Sequence, residues 1–395
     1  MAAPIPCIRW ANGDSFDLLG LRDLPVEDEP ALDQPADRPP PQGWRQILGW
    51  SGKSAPVAVL LLAGMGLGPQ GISLLPPSMP LLDPAVPVAL AALGVLVGLG
   101  LGDRRPGERR LFAAAGLHSL MTMLLVAGGV AAFAWLAWPL EPRVFWTLVM
   151  VTGICAATSL TLPSGEPLEP RPPATRIQEF GVLLPIAAGG LALAWIRNGS
   201  LPGTLSLVAL SSGITVMLAA AAWLLLTKAS TETEERVFAV SALLLVGGVA
   251  DALSLSALFS GLAAGVFWRL AGRKPRETIR RDVLFVQHPL LVLVLLLAGA
   301  RAELSPAAWA LGAGYLAVRV VAQFAAGALA QRAGGVTGPA GLGLQLLPPG
   351  VFGVAFALNA VSVIGADASL AHAVVVIGTI GSELVAVAMR ARRSA

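Results

Sequence analysis

The chain has 395 residues, of which 55% are hydrophobic and only 13% charged, against roughly 45–50% apolar and about 25% charged in an ordinary soluble domain. A soluble fold could not hide that much apolar surface, and the apolar residues come in long blocks, so the composition reads as an all-α integral membrane protein. Two cysteines, Cys7 and Cys155, exclude a disulfide framework and a paired-cysteine metal site, and a net charge of +3 gives no footprint for nucleic acid.

Residues 1–50 differ in kind from the rest of the chain. They carry a proline run, Pro39 to Pro41, and acids at Asp14, Asp17, Asp23, Glu27, Asp28, Glu29, Asp33 and Asp37. Such a segment cannot bury a core, so the chain divides into an acidic, disordered tail over 1–50 and a transmembrane domain over 51–395. No apolar stretch succeeds Met1, so no cleaved signal peptide is expected and the first membrane helix directs insertion.

Apolar blocks between breakers predict about twelve helices, near 55–75, 84–102, 111–138, 144–163, 177–197, 204–227, 236–254, 255–271, 283–301, 305–330, 338–362 and 368–390. Basic residues gather in alternate connections. One side holds Arg104, Arg105, Arg109 and Arg110, then Arg171 and Arg176, Lys228 and Arg236, six residues from Arg269 to Arg281 read as a topology-setting loop, Arg332, and Arg390, Arg392 and Arg393. The other holds Arg143, Arg197 and Arg301. By the positive-inside rule the rich side is cytoplasmic, which puts both termini inside and suits a bacterial inner membrane.

Several segments resemble the monovalent cation:proton antiporter superfamily, especially its second group of sodium or potassium:proton exchangers. They are the glycine-rich stretch Gly64 to Leu75, Ser256 to Gly265 before a basic connection, Pro289 to Leu304, Leu346 to Gly353, and Ile380 to Leu384. The resemblance implies an inverted-repeat fold in which two broken helices cross near the midplane of a mobile core, exchange of sodium or potassium for protons by alternating access, and a homodimer. Broken helices suit ion sites because their ends present carbonyls, amides and half-helix dipoles to a cavity. The candidates here are 144–163, with the pair Thr158 and Ser159, and 338–362, where Pro348 and Pro349 remove amide donors and interrupt the helix.

This sequence departs from the family in two places. One crossing before the glycine-rich segment is missing. Where the family carries its ion-binding acid, the span 177–197 has Gly189 and Gly190, and no Asp or Glu occurs between Phe180 and Ser230. A buried carboxylate holds either a proton or a cation, whereas glycines hold neither, and the hydroxyls of Thr158 and Ser159 could ligate a cation without carrying a proton.

Few polar side chains remain within the spans. Arg319 stands mid-span with Gln323 one turn on along the same face, and an arginine at that depth costs on the order of 2.5–3.5 kcal/mol unless it faces a partner. It could face half-helix carbonyls, pair with Glu383, form an anion site, or simply pin two helices together. Glu383, in the last span, reads first as a helix-packing partner. His118 and His288 lie near the inner boundary and read as histidines satisfied by backbone or water. No cofactor motif occurs and no enzyme is indicated. The expected partners are a monovalent cation, the proton and the lipid bilayer. The alternative is a non-transporting or anion-handling relative acting as a membrane scaffold or sensor.

Overall fold

The computed structural model describes residues 56–75, 82–100, 109–159, 173–334, 342–348 and 350–394. The acidic segment 1–50, together with Arg104, Arg105, Arg171 and Pro349, lies outside the described residues. The described residues belong to one compact unit over Gly49–Ala395 and hold helices and turns with no strand.

In chain order the helices are α1 (Pro56–Leu67), α2 (Ala85–Gly100), α3 (Arg109–Ala137), α4 (Pro142–Ala156), α5 (Pro173–Gly181), α6 (Leu183–Asn198), α7 (Leu201–Lys228) and α8 (Glu232–Ala252). They continue as α9 (Ala257–Ala271), α10 (Arg273–Ala300), α11 (Pro306–Gly334), α12 (Leu342–Gln345), α13 (Val351–Ile364) and α14 (Ser369–Ser394), with a 3-10 turn at Gly365–Ala368 before the last. Six helical stretches among the described residues are long and apolar enough to cross a membrane, and four shorter apolar helices accompany them.

Three expectations are refined. The stretch predicted as one helix over 55–75 ends at Leu67 and turns back on itself, with Ile72 N–H donating to Gly66 O at 2.8 Å. The span 144–163 stops as a helix at Ala156. The basic group Arg269 to Arg281 is not a loop: α9 and α10 are separated by Gly272 alone, whose φ of 142° interrupts the helix there, so the basic residues stand on helix ends. Lysine and arginine are good helix formers, and Pro275 falls in the first turn of α10, where a missing N–H costs nothing. The same helix contains Pro289 and begins at Arg273 instead of near 283.

The polarity of α7 shows how the bundle is built. Its buried residues are Thr204, Ser211, Thr215, Ala219, Ala222 and Leu226, spaced as one helical stripe, while Leu205, Leu210, Met217 and Leu225 point outward. A stripe of small and polar residues inward with leucines outward is the pattern of a helix that faces lipid and packs by close approach. Inside, Ser211 and Ser260 hydroxyls lie 3.4 Å apart and Trp268 Nε1 donates to Ala219 O at 2.8 Å, tying α7 to α9. At the polar end of α8, Thr231 and Glu234 form a reciprocal capping box. The Ser230 backbone N–H and hydroxyl and the Thr231 amide hold the Glu234 carboxyl below its usual range.

Glycines set the tightest crossings. Gly94 and Gly98 on α2 meet Gly261 and Gly265 on α9 so closely that a Cβ on Gly261 would stand 2.0 Å from Ala91 O. The same device joins α1 to α10, where a Cβ on Gly64 would meet Leu296 O and one on Gly299 would meet Leu61 O, each at 2.2 Å. Backbone cannot yield as a side-chain tip can, so Gly261→Ala is expected to destabilise the purified protein by about 1–3 kcal/mol. Gly248→Ala, with open space at its Cβ, is expected to stabilise by about 0.5–1 kcal/mol through helix propensity alone. Thermal denaturation in one detergent compares the pair.

Candidate functional site

The end of α4 and the break between α12 and α13 meet in the interior. Gly350 N–H donates to Thr158 O at 3.1 Å, and Cys155 Sγ donates to Gly353 O at 3.1 Å. Gly353 permits this approach, since a Cβ there would lie 2.5 Å from Thr158 Oγ1. The Thr158 hydroxyl donates to Cys155 O at 2.7 Å, closing the last turn of α4. Pro348 is buried within the break, where its missing N–H and the restriction it places on its neighbour stop α12 from running into α13.

Helix α11 supplies the donors that these helix ends need. Arg319 Nη1 donates to Leu347 O at 3.0 Å, and Gln323 Nε2 donates to Ala156 O at 2.9 Å. The two side chains lie one turn apart on one face, so a single helix satisfies carbonyls at both interruptions. A C-terminal helix end carries partial negative charge and leaves carbonyls unpaired, which is why a guanidinium rests there although no carboxylate among the described residues bonds to it. Arg319 is 1% exposed. Its Nη2 has no hydrogen-bond acceptor among the described residues.

A third side chain completes the network. His118 Nε2 on α3 lies 2.9 Å from Gln323 Oε1. Because the amide nitrogen of Gln323 faces Ala156 O, its oxygen accepts, and His118 carries its proton on Nε2. Sequence reading sets His118 aside as an interfacial histidine; the available signal is that His118 and Gln323 are both polar residues within apolar helices. Asn359 escapes it as well. It is buried on α13, accepts from Ala257 N–H at 3.2 Å and donates to Ser256 Oγ at 2.8 Å, joining the crossing to the start of α9.

Thr158, Ser159, Arg319, Gln323, Gly350 and Gly353 thus gather at or beside the crossing, all buried. Gly189 and Gly190 are buried on α6 against aromatic rings: a Cβ on Gly189 would stand 2.3 Å from Phe356 Cε2, and one on Gly190 2.7 Å from Phe259 Cγ. The volume that an acidic side chain would need there is filled by phenylalanine. Glu383 on α14 accepts the backbone N–H of Ala58 in the first turn of α1. The guanidinium of Arg319 is directed to Leu347 instead. At one end of the molecule a groove of about 590 Å³ runs between the start of α4 and the end of α6, lined by Arg143, Trp146, Met150, Trp195 and Arg197 among others.

No family profile matches the chain, and no curated protein matches it. Among solved structures it is similar to the sodium proton antiporter MjNhaP1 from Methanocaldococcus jannaschii at pH 8, with a TM-score of 0.60 and 17% identity over 89% of this chain and 94% of that one. The chain has the fold of a sodium/proton antiporter. No carboxylate occurs in α6 or α7.

Proposed function

We propose that this protein is a secondary transporter that exchanges a monovalent cation, sodium or potassium, for protons by alternating access. The observation that carries this reading is the crossing itself: the end of α4 and the break between α12 and α13, bridged by Arg319 and Gln323 within an antiporter fold. Thr158, Ser159 and Pro348, with backbone carbonyls of the crossing, form the ion path; Gly189 and Gly190 shape its wall; Glu383 holds α1 against α14. Thr158, Ser159 and Arg319 are buried, which supports a site screened from bulk water.

We place the protein in a bacterial inner membrane with about twelve crossings arranged as an inverted repeat, both termini cytoplasmic, and two copies forming a homodimer. The arginine asymmetry supports the orientation. A second reading, an anion-handling relative, is favoured by one observation: the buried Arg319 has a guanidinium nitrogen with no acceptor among the described residues. Tracer uptake into proteoliposomes separates the two. Uptake of labelled sodium or potassium driven by an outward proton gradient supports cation exchange, whereas uptake of labelled chloride with no cation uptake overturns it in favour of the anion reading.

A further inference from the structure

We propose that His118 carries the proton in this transporter, in place of the absent carboxylate; this deepens the exchange reading and rests on it. The requirement is a group at the crossing that changes charge by one unit. Arg319 stays protonated at physiological pH, and Gln323, Thr158 and Ser159 do not titrate there. Within the hydrogen-bonded network that links α3, α4, α11 and the α12–α13 break, the titratable side chains besides Arg319 are the His118 imidazole and the Cys155 thiol, and the imidazole is the one that becomes a cation on taking up a proton.

The geometry leaves His118 equipped for this role. Its Nε2–H is committed to Gln323 Oε1 at 2.9 Å, and Gln323 in turn is committed to Ala156 O at the end of α4. The Nδ1 lone pair is therefore the site that takes the proton, producing an imidazolium without breaking either bond; loss of the same proton restores the neutral ring. Charge on His118 is thereby coupled through one amide to the carbonyl end of the broken helix, where a cation would be coordinated. An imidazolium beside Arg319 and a cation at those carbonyls repel each other in a low-dielectric interior, so proton and cation exclude one another, which is the condition for exchange.

The helices packed on α3 are α11, α4, α5 and α6. The titratable and charged groups they carry are Arg319, Tyr315 and Arg332 on α11, Cys155 and Arg143 on α4, the Arg176–Glu179 pair at 2.9 Å on α5, and Arg197 at the far end of α6. On α3 itself, Arg109 and Arg110 stand at the first turn. The one carboxylate among them, Glu179, is already engaged by Arg176.

His118→Gln keeps a donor for Gln323 and removes the basic nitrogen. In proteoliposomes, sodium or potassium tracer exchange at equal pH on both sides is expected to survive in H118Q while cation-driven proton movement falls to that of empty vesicles. Coupled proton movement equal to wild type in folded H118Q would overturn the carrier alone, and loss of both fluxes in folded protein would assign His118 a structural part and overturn it too. Wild-type protein that moves no protons with any cation overturns the exchange reading, and the carrier with it. A measurement on unmodified protein covers the case of a variant that does not fold: in nitrogen NMR of the three histidines, one imidazole is expected to titrate at lower pH as sodium or potassium rises, and three cation-independent titrations contradict the assignment.

Discussion

Arg319→Ala is expected to abolish transport and to destabilise the protein by about 2 kcal/mol, because Leu347 O loses a charged donor in a place that water does not reach. The magnitude is the balance of two opposed terms. Removing a buried guanidinium relieves an insertion cost of roughly 2.5–3.5 kcal/mol, yet it leaves a carbonyl at the α12 end unpaired and opens a hole beside Tyr315, another of the largest buried side chains. Arg319→Lys restores a charge but not the planar fork. It is therefore expected to recover stability more fully than transport. Thermal melting and flux on the same preparations give the comparison.

The second large effect concerns the glycines. Gly189→Asp places a carboxylate where the resemblance to cation:proton antiporters puts one, but its Cβ would overlap the ring of Phe356. Overpacking and an unpaired buried carboxyl act together, each costing on the order of 1–3 kcal/mol, so the single variant is expected to be recovered poorly or to melt well below wild type. Gly189→Asp combined with Phe356→Ala removes the overlap and is expected to be clearly more stable than Gly189→Asp alone. Additive losses in the double variant would show that the ring does not occupy the space of the missing side chain.

Much of this architecture is legible in the sequence because lipid imposes simple demands. Long apolar blocks separated by punctuation mark the helices, and Pro348 marks an interruption because a proline cannot continue a helical ladder. Arg319 and Gln323 are conspicuous because buried polar groups need partners, and their separation of one turn already puts them on one face. What they bond to is not legible. The carbonyls of Leu347 and Ala156 are backbone atoms with no signature in a string of side chains, and they meet α11 only through a tertiary crossing. His118 shows the same limit: its distance in sequence from Gln323 is 205 residues, and a lone histidine near a predicted boundary looks solvated until the helices are placed. The run from Arg269 to Arg281 misleads in the other direction, since basic charge signals a membrane side but does not break a helix; Gly272 alone makes the interruption. The exclusion of a carboxylate at Gly189 and Gly190 is legible as an absence, and its cause, the rings of Phe356 and Phe259, is not.

The most direct test of cation/proton exchange through this crossing is a pH-sensitive dye in proteoliposomes under imposed sodium, potassium and lithium gradients. Wild type, Arg319→Ala and empty vesicles are run side by side. Exchange predicts that at least one cation gradient moves protons in wild-type vesicles and that Arg319→Ala vesicles respond as empty ones do. Folded wild-type protein that moves no protons under any of the three gradients, or an Arg319→Ala variant that moves them as fast as wild type, would contradict it.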